Sequence, residues 1–529
     1  MNKKSILSLV LAVLFVFSAC GSTDLAESES SSTEQSETES EQPISTAGSS
    51  DMFTDKDMEI GYNEETSTWI TLSGDNASSH SDTVQVSGST VTITDAGTYI
   101  LSGSLEDGMI IVNAEDTDKV QLVLKGVQIT SSTSAAIYVL QADKVFITTA
   151  SGTQNTLANG GEYVAIDDNN IDGVIFSKSD LTLNGDGTLT ISADAGHGIV
   201  SKDDLVITSG TYNITAASHG ISGKDSVRIA NGTYTIESGK DGIHAENTED
   251  SSMGFLYVGG GTFDITAGGD GMSASSYLQI ENGTFTITSG EGSASVSTTN
   301  STMEAATTTA QDDTISQKGI KADGNISITS GTFNLDSADD AIHAANEISI
   351  AAGEFNIASG DDAIHSDSSV VIEDGSFKIS DCYEGVEGLS ITVDGGTFDI
   401  TSEDDGLNAG GGNDSSGFGG RMSQQDEFST SSGGFITINN GSLTIVSTGD
   451  CIDSNGDLTI NGGALNLTCN GSGNTALDCD GSYTNNGGEI TTNDGSENNP
   501  GQMGGMGRQL RFMIEDCDTV ILDFKKAQN

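Results

Sequence analysis

The chain has 529 residues, and its 78 acidic against 19 basic side chains give a formal charge of -59. That balance excludes nucleic acid, whose phosphates need clustered Lys and Arg, and excludes direct contact with polyanions unless cations bridge. There are 67 Gly but only 2 Pro, at Pro43 and Pro500, so nothing between them removes a backbone donor from a sheet ladder.

In chain order, residues 1–20 read as an export leader. Lys3 and Lys4 precede a short apolar run, Ile6 to Phe17, too short to span a bilayer. The segment Phe17-Ser18-Ala19-Cys20-Gly21 resembles a bacterial lipobox, with Phe in place of the usual Leu. The resemblance implies lipidation of Cys20 and a membrane anchor on the extracellular face; an ordinary secretory signal with an incidental Cys is the alternative. Residues 21–59 are Ser, Glu and Thr with almost no apolar side chains, which predicts a disordered tether. The remaining cysteines, Cys382, Cys451, Cys469, Cys479 and Cys517, form no CxxC and have no His at zinc spacing. They read as buried or free thiols rather than a disulfide framework.

From 60 to about 190 short apolar strands such as Thr90–Ile93 and Val120–Leu124 alternate with polar turns. Beyond 190 a repeat takes over. Apolar anchors fall at Ile199, Ile221 and Ile243, in steps of 22. Met272 follows an insertion, and Ile320, Ile342, Ile364, Val386 and Leu407 resume the spacing; Ile452 and Leu477 continue it. Each unit carries a second strand, such as Glu347–Ile350, and a third after Gly, such as Gly331-Thr332-Phe333-Asn334-Leu335. This predicts an all-β fold, a right-handed single-stranded parallel β-helix with three short strands per ~22-residue coil, spanning 60–494. Tyr212, Tyr234, Phe263, Phe285, Phe333, Phe355, Phe377 and Phe398 then form one row. Polar residues alternate with that row, so it faces the interior rather than serving as a sugar-stacking platform. Insertions at about 291–316 and 411–432 read as surface loops, and 495–529 as a Gly/Met-rich segment ending in a strand-like Thr519–Leu522 that would cap the helix.

The candidate chemistry sits in the turns. Asp339-Asp340, Asp361-Asp362 and Asp404-Asp405 occupy equivalent places in successive units. Stacked coils set such carboxylates ~4.8 Å apart, a repulsion of about 3 to 4 kcal/mol at an effective dielectric near 20. An oxygen-only column suits calcium; turn capping by Asp is the competing reading. Residues before the anchors are small, as in Gly198, Ala341 and Ala363, and both neighbours of an anchor are expected to point outward. A polar column, His244, Lys321, His343, His365, Glu387 and Asn408, would then flank a shallow groove fit for an extended polysaccharide. Small residues relieving a tight bend are the alternative.

The turn Lys240-Asp241-Gly242-Ile243-His244, the coil Gly198-Ile199-Val200-Ser201-Lys202-Asp203-Asp204-Leu205, the repeated Gly-Thr-Phe-x-Ile and Gly97-Thr98-Tyr99-Ile100-Leu101-Ser102-Gly103 carry a family resemblance. They resemble the bacterial carbohydrate-binding domain-containing proteins, whose clostridial members are surface-exposed, pectate-lyase-like β-helices. The resemblance covers about 60 to 490. It implies bound calcium and affinity for cellulose and acidic sugars such as polygalacturonate, without established catalysis.

Gly196-His197-Gly198 and Gly449-Asp450-Cys451 are similar to polygalacturonase motifs, but they stand in reversed order and the second lacks one Asp. A lyase needs calcium and a base, for which Arg228 and Lys321 are the candidates. The expectation is therefore a monomeric, lipid-anchored, non-catalytic binder of plant cell-wall polysaccharide. A calcium-dependent pectate lyase or polygalacturonase, and an acidic adhesin or stalk, stand as the alternatives.

Overall fold

The computed structural model describes residues 52–295, 316–410 and 434–500, all within one compact unit, Gly48–Asn529. Cys20, the bodies of both insertions, Cys517 and Thr519–Leu522 lie outside the described residues.

The described chain is all-β apart from two short 3₁₀ turns, Ser293–Ser295 and Ser496–Asn498. It opens with two antiparallel pairs, Thr68–Gly74 on Asn76–Ser79 and Val84–Ser87 on Thr90–Ile93. Pairing thereafter is parallel, in the manner of a β-helix. Each strand hydrogen-bonds not to its sequence neighbour but to its equivalent one repeat on. Thr332–Ser337 pairs with Glu354–Ser359 residue for residue, Phe333 on Phe355 and Leu335 on Ile357. The anchors follow the same rule, Ile320 on Ile342 and Ile342 on Ile364.

Register comes from stacking like on like. The aromatic row from Tyr212 to Phe398 is buried. Adjacent rings from Tyr234 onward lie nearly parallel, with centroids 4.6 to 4.9 Å apart. Period 2 sets an aliphatic row two residues later on the same face, and Ile265, Ile287, Leu335 and Ile357 are buried there. The glycine that opens each third strand holds a positive φ, 142° at Gly331 and 147° at Gly353. A Cβ on Gly353 would also strike the Phe355 ring at 2.7 Å, so the Gly-x-Phe pair is one packing unit. Cys382, Cys451, Cys469 and Cys479 are buried free thiols, as their spacing predicted.

The tether boundary at 59 needs correction. Met52 and Asp57 are buried against the coils. Asp57 pairs with Lys144 at 2.7 Å and accepts a hydrogen bond from Thr182 at 2.6 Å. Against the cost of burial, these partners lower its carboxyl to about 2. Two buried side chains in so polar a stretch are a weak hydropathy signal, so composition alone could not place the boundary.

A Phe355→Ala variant should lose about 3 to 5 kcal/mol through the cavity left in the row. Urea unfolding followed by far-UV circular dichroism reads that loss.

Candidate functional site

One edge of the coils gathers the titratable side chains into two neighbouring columns. The residue two before each anchor forms the first: His197, His219, Asp241, Asp270, Lys318, Asp340, Asp362, Glu384, Asp405 and Asp450. The residue after each anchor forms the second. It pairs in register as His244 on Ser273, Ser273 on Lys321, Lys321 on His343, His343 on His365, His365 on Glu387, Glu387 on Asn408 and Asn408 on Asp453.

A side-chain-to-backbone ladder explains why short acids fill the first column. The amide of Asp270 donates to Asp241 Oδ1 at 3.0 Å, that of Lys318 to Asp270 Oδ1 at 2.8 Å, and that of Asp362 to Asp340 Oδ1 at 3.1 Å. Glu384 donates likewise to Asp362 Oδ1 at 2.9 Å, and Asp450 to Asp405 Oδ1 at 2.5 Å. One oxygen of each carboxylate thus caps the next coil, as turn chemistry predicts. The other is left to face its column neighbours.

The small residues between column and anchor do not point outward. Ala341 and Ala363 are fully buried. A Cβ on Gly198 would meet the Gly220 carbonyl at 2.5 Å and Ile214 Cγ2 at 2.7 Å. They are small because the next coil leaves no room, so they cannot floor a groove. The second column also departs from its expected exposure. His365 is wholly buried and His343 nearly so, whereas His244, Lys321, Glu387 and Asn408 are half-buried. The turn folds its acids over both imidazoles, which a two-residue period cannot foretell.

Of the acids singled out as metal ligands, Asp339, Asp340 and Asp361 do converge. Lys318, which sequence reasoning passed over, reaches into the same place. Its buried ammonium lies 3.0 Å from Asp339 Oδ1 and 2.6 Å from Asp340 Oδ2. His343 Nδ1 adds a contact of 2.9 Å to the same Asp340 oxygen. Against the cost of burial, Lys318 and the histidines hold Asp340 well below the usual carboxylate range. The signal was available: Lys318 occupies the Asp340 slot one repeat earlier.

Beyond this rung the acids crowd one another. Burial, then Glu387 and Asp340, push Asp362 well above its ordinary range. Burial, then Glu387, Asp362 and Asp405, do the same to Glu384, whose buried Oε2 makes no hydrogen bond. Burial followed by Asp404 raises Asp405 to about 9. Burial also carries Asp450 to about 7 and, with Asp478, Asp453 to about 6. Oxygens of Asp450, Asp453 and Asp478 lie within 4.8 Å of one another, a three-carboxylate set that fits calcium. Asp404 acts on Asp450 and Asp453, and Asp405 interacts with the same two acids, so both border the set and add negative charge to it. Sequence reasoning missed Glu384, Asp450, Asp453 and Asp478 as ligand candidates because it sought doubled acids.

The basic end of the edge is different. Two adjoining clefts, of about 460 and 340 Å³, share Lys240, His244 and Glu246. Lys321 and Asp270 line the larger, and Lys202, Lys224, His197 and His219 the smaller. Arg228 leaves its strand on the face opposite buried Val227 and Ile229, where it pairs with Asp204 at 2.5 Å and donates to the Met52 carbonyl. His197 accepts the His219 amide at 3.3 Å, and burial lowers it to about 3, leaving it neutral.

Two outcomes follow from these charges. A Lys318→Met variant leaves Asp339 and Asp340 buried without their ammonium and should cost about 3 to 5 kcal/mol at pH 7. The loss should shrink toward pH 4, where the carboxyls can protonate, and urea titrations at both pH values measure it. For the wild type, Asp405, Asp450 and Asp453 bind protons more tightly folded than unfolded. The stability they contribute is full below the ordinary value of 3.8 and is lost as pH rises through about 6 to 9. With chelator present, melting temperature should therefore fall between pH 5 and 9, and added calcium should restore it at pH 8. A flat profile contradicts the crowding of these acids, and no calcium response contradicts the fit of the three-carboxylate set to calcium.

Comparison with known proteins gives three findings. The family described as carbohydrate-binding domain-containing protein matches residues 87–363 and 361–500. A relative with the same description from Acetivibrio thermocellus is 39% identical over 137 residues, which are 26% of this chain and 48% of that protein. The chain spans about half the length of the curated relative it matches. A solved structure of the polysaccharide lyase-like protein from C. thermocellum, a gadolinium derivative, is 31% identical, covers 50% of this chain and 97% of that one, and has a TM-score of 0.43.

Proposed function

The chain belongs to the carbohydrate-binding domain-containing protein family, and from that membership we propose that it binds an acidic plant cell-wall polysaccharide of polygalacturonate type without cleaving it. The observation that carries this reading is the distribution of positive charge. On a chain of net charge -59, Lys202, Lys224, Lys240 and Lys321 line two adjoining clefts. Lys202, Lys224 and Lys240 face a single acid, Glu246, in the smaller cleft and attract sugar carboxylates there, whereas Asp241, Glu246, Asp270 and Asp323 share the larger cleft with Lys240 and Lys321, so a bridging cation would join the polymer to it. The larger cleft has the volume of a small-ligand pocket and takes a sugar unit or two of an extended chain. His244 and Lys321 of the expected polar column are its contacts. Buried His343 and His365 shape the edge from beneath, and Glu387 and Asn408 flank the acidic rungs.

In this reading the coils are right-handed, with three strands each, and calcium sits on the acidic rungs. Asp450, Asp453 and Asp478, with Asp404 and Asp405 beside them, would hold it. There it offsets like charges and bridges to carboxylates of the polymer. Asp339, Asp340 and Asp361 are weaker candidates because Lys318 supplies their cation. Binding without cleavage is favoured because Arg228, one of the two side chains considered as bases, is engaged by Asp204 and lines neither cleft. Lipidation of Cys20 would hold a monomeric chain on the extracellular face of the membrane; the leader pattern supports this.

Retention on polygalacturonate and on cellulose, each with calcium and with chelator, tests the proposal. Wild type should be retained on polygalacturonate with calcium. A Lys240→Glu, Lys321→Glu double variant should bind at least about tenfold more weakly, since two attractive charges become repulsive. Absence of retention on either polymer would remove the reading, and unsaturated sugar ends released by purified protein would replace it with a lyase.

A further inference from the structure

The edge holds a second kind of ion site, chemically unlike the acidic rungs. We propose that His219, Asp241 and His244 bind a divalent metal ion of the zinc class, with one coordination position open to the clefts.

The three donor atoms lie within 4.8 Å of one another. Asp241 Oδ2 is 2.7 Å from His244 Nδ1 and 3.4 Å from His219 Nδ1. The two imidazoles stack, with centroids 4.3 Å apart and an interplanar angle of 22°, so both Nδ1 atoms are offered to one side. His219 Nδ1 is buried yet makes no aligned hydrogen bond. A buried ring nitrogen whose nearest partner is Asp241 Oδ2 at 3.4 Å is poorly served in a finished polar network, and a metal between the two would bond both.

The surroundings orient these donors as metal sites require. The Asp270 amide holds Asp241 Oδ1 at 3.0 Å, which turns Oδ2 toward the imidazoles. Glu246 Oε2 faces His244 Nε2 at 3.4 Å, the carboxylate-histidine arrangement that leaves Nδ1 as ligand. His197 stacks on the other face of His219, with centroids 5.0 Å apart. Ser273 Oγ, 2.8 Å from His244 Nδ1 and 3.0 Å from Asp241 Oδ2, occupies the place a metal would take over.

The same fold supplies the counter-example. Lys318, Asp340 and His343 stand in the slots of His219, Asp241 and His244 in a later coil. There the first-column partner is an ammonium, 2.6 Å from the carboxylate, and it already neutralises Asp340, although His343 and His365 also lie within 4.8 Å of it. An imidazole in that slot converts an ion pair into a ligand set. Two nitrogens and one oxygen select zinc, nickel, copper or cobalt over calcium, which prefers oxygen alone. Because this claim concerns the metal alone, it stands or falls separately from polysaccharide binding.

Titration of the 529-residue chain with cobalt(II), read by visible absorption, and with zinc by calorimetry at pH 7.5, without sugar, is the test. One equivalent should bind, and excess calcium should not displace it. His219→Lys copies the arrangement at Lys318, so it should fold with an unchanged melting temperature and lose binding at least about a hundredfold. His244→Asn should lose it similarly, and Glu246→Gln should weaken it about tenfold. No stoichiometric uptake by the wild type, uptake undiminished in both histidine variants, or displacement by equimolar calcium would each overturn the site.

Discussion

In-register parallel stacking is the constraint on which this structure depends. Each paired strand residue among those described sits one rung, about 4.8 Å, from its own equivalent. Inside the coils that constraint is favourable. Phe333 rests on Phe355 and Phe377 in a near-parallel file, and the aliphatic rows repeat with it. At the turns the same constraint is adverse, because it lines up charges of one sign. The backbone explains why acids are there: the second-coil amide needs an acceptor, and an Asp Oδ1 one rung below supplies it, as Asp340 does for Asp362.

The unused oxygen of each acid then has to be answered, and the edge answers it in three ways. At Asp241 the partners are imidazoles. At Asp340 the partner is the ammonium of Lys318. From Glu384 to Asp453 acids press on acids, and a bound proton or cation must relieve them. The edge is therefore graded along its length, from lysine-lined clefts to crowded carboxylates.

Much of this was legible from residue spacing. The steps of 22 from Ile320 to Val386, the inward aromatic row and the free thiols all follow from periodicity and composition, because stacking like on like writes the fold into the sequence as repetition. The registration of His244, Lys321, His343, His365, Glu387 and Asn408 in one column was equally plain. Their exposure was not. Alternation says which way a side chain leaves a strand, but it does not say that the preceding turn folds back over it, as it does over His365.

The sequence by itself thus determined the coil, its period, its core and the line along which the charged turns fall. Those are properties of a one-dimensional repeat, and each can be counted along the chain. Only the tertiary structure decided what the charges do. Whether Asp340 meets Lys318 or a metal depends on a side chain reaching across from the previous coil. Whether Ala363 lines a groove or fills a bend depends on the carbonyls of its neighbour. Interactions between rungs are set by where flexible side chains end, and spacing along the chain fixes only where they begin.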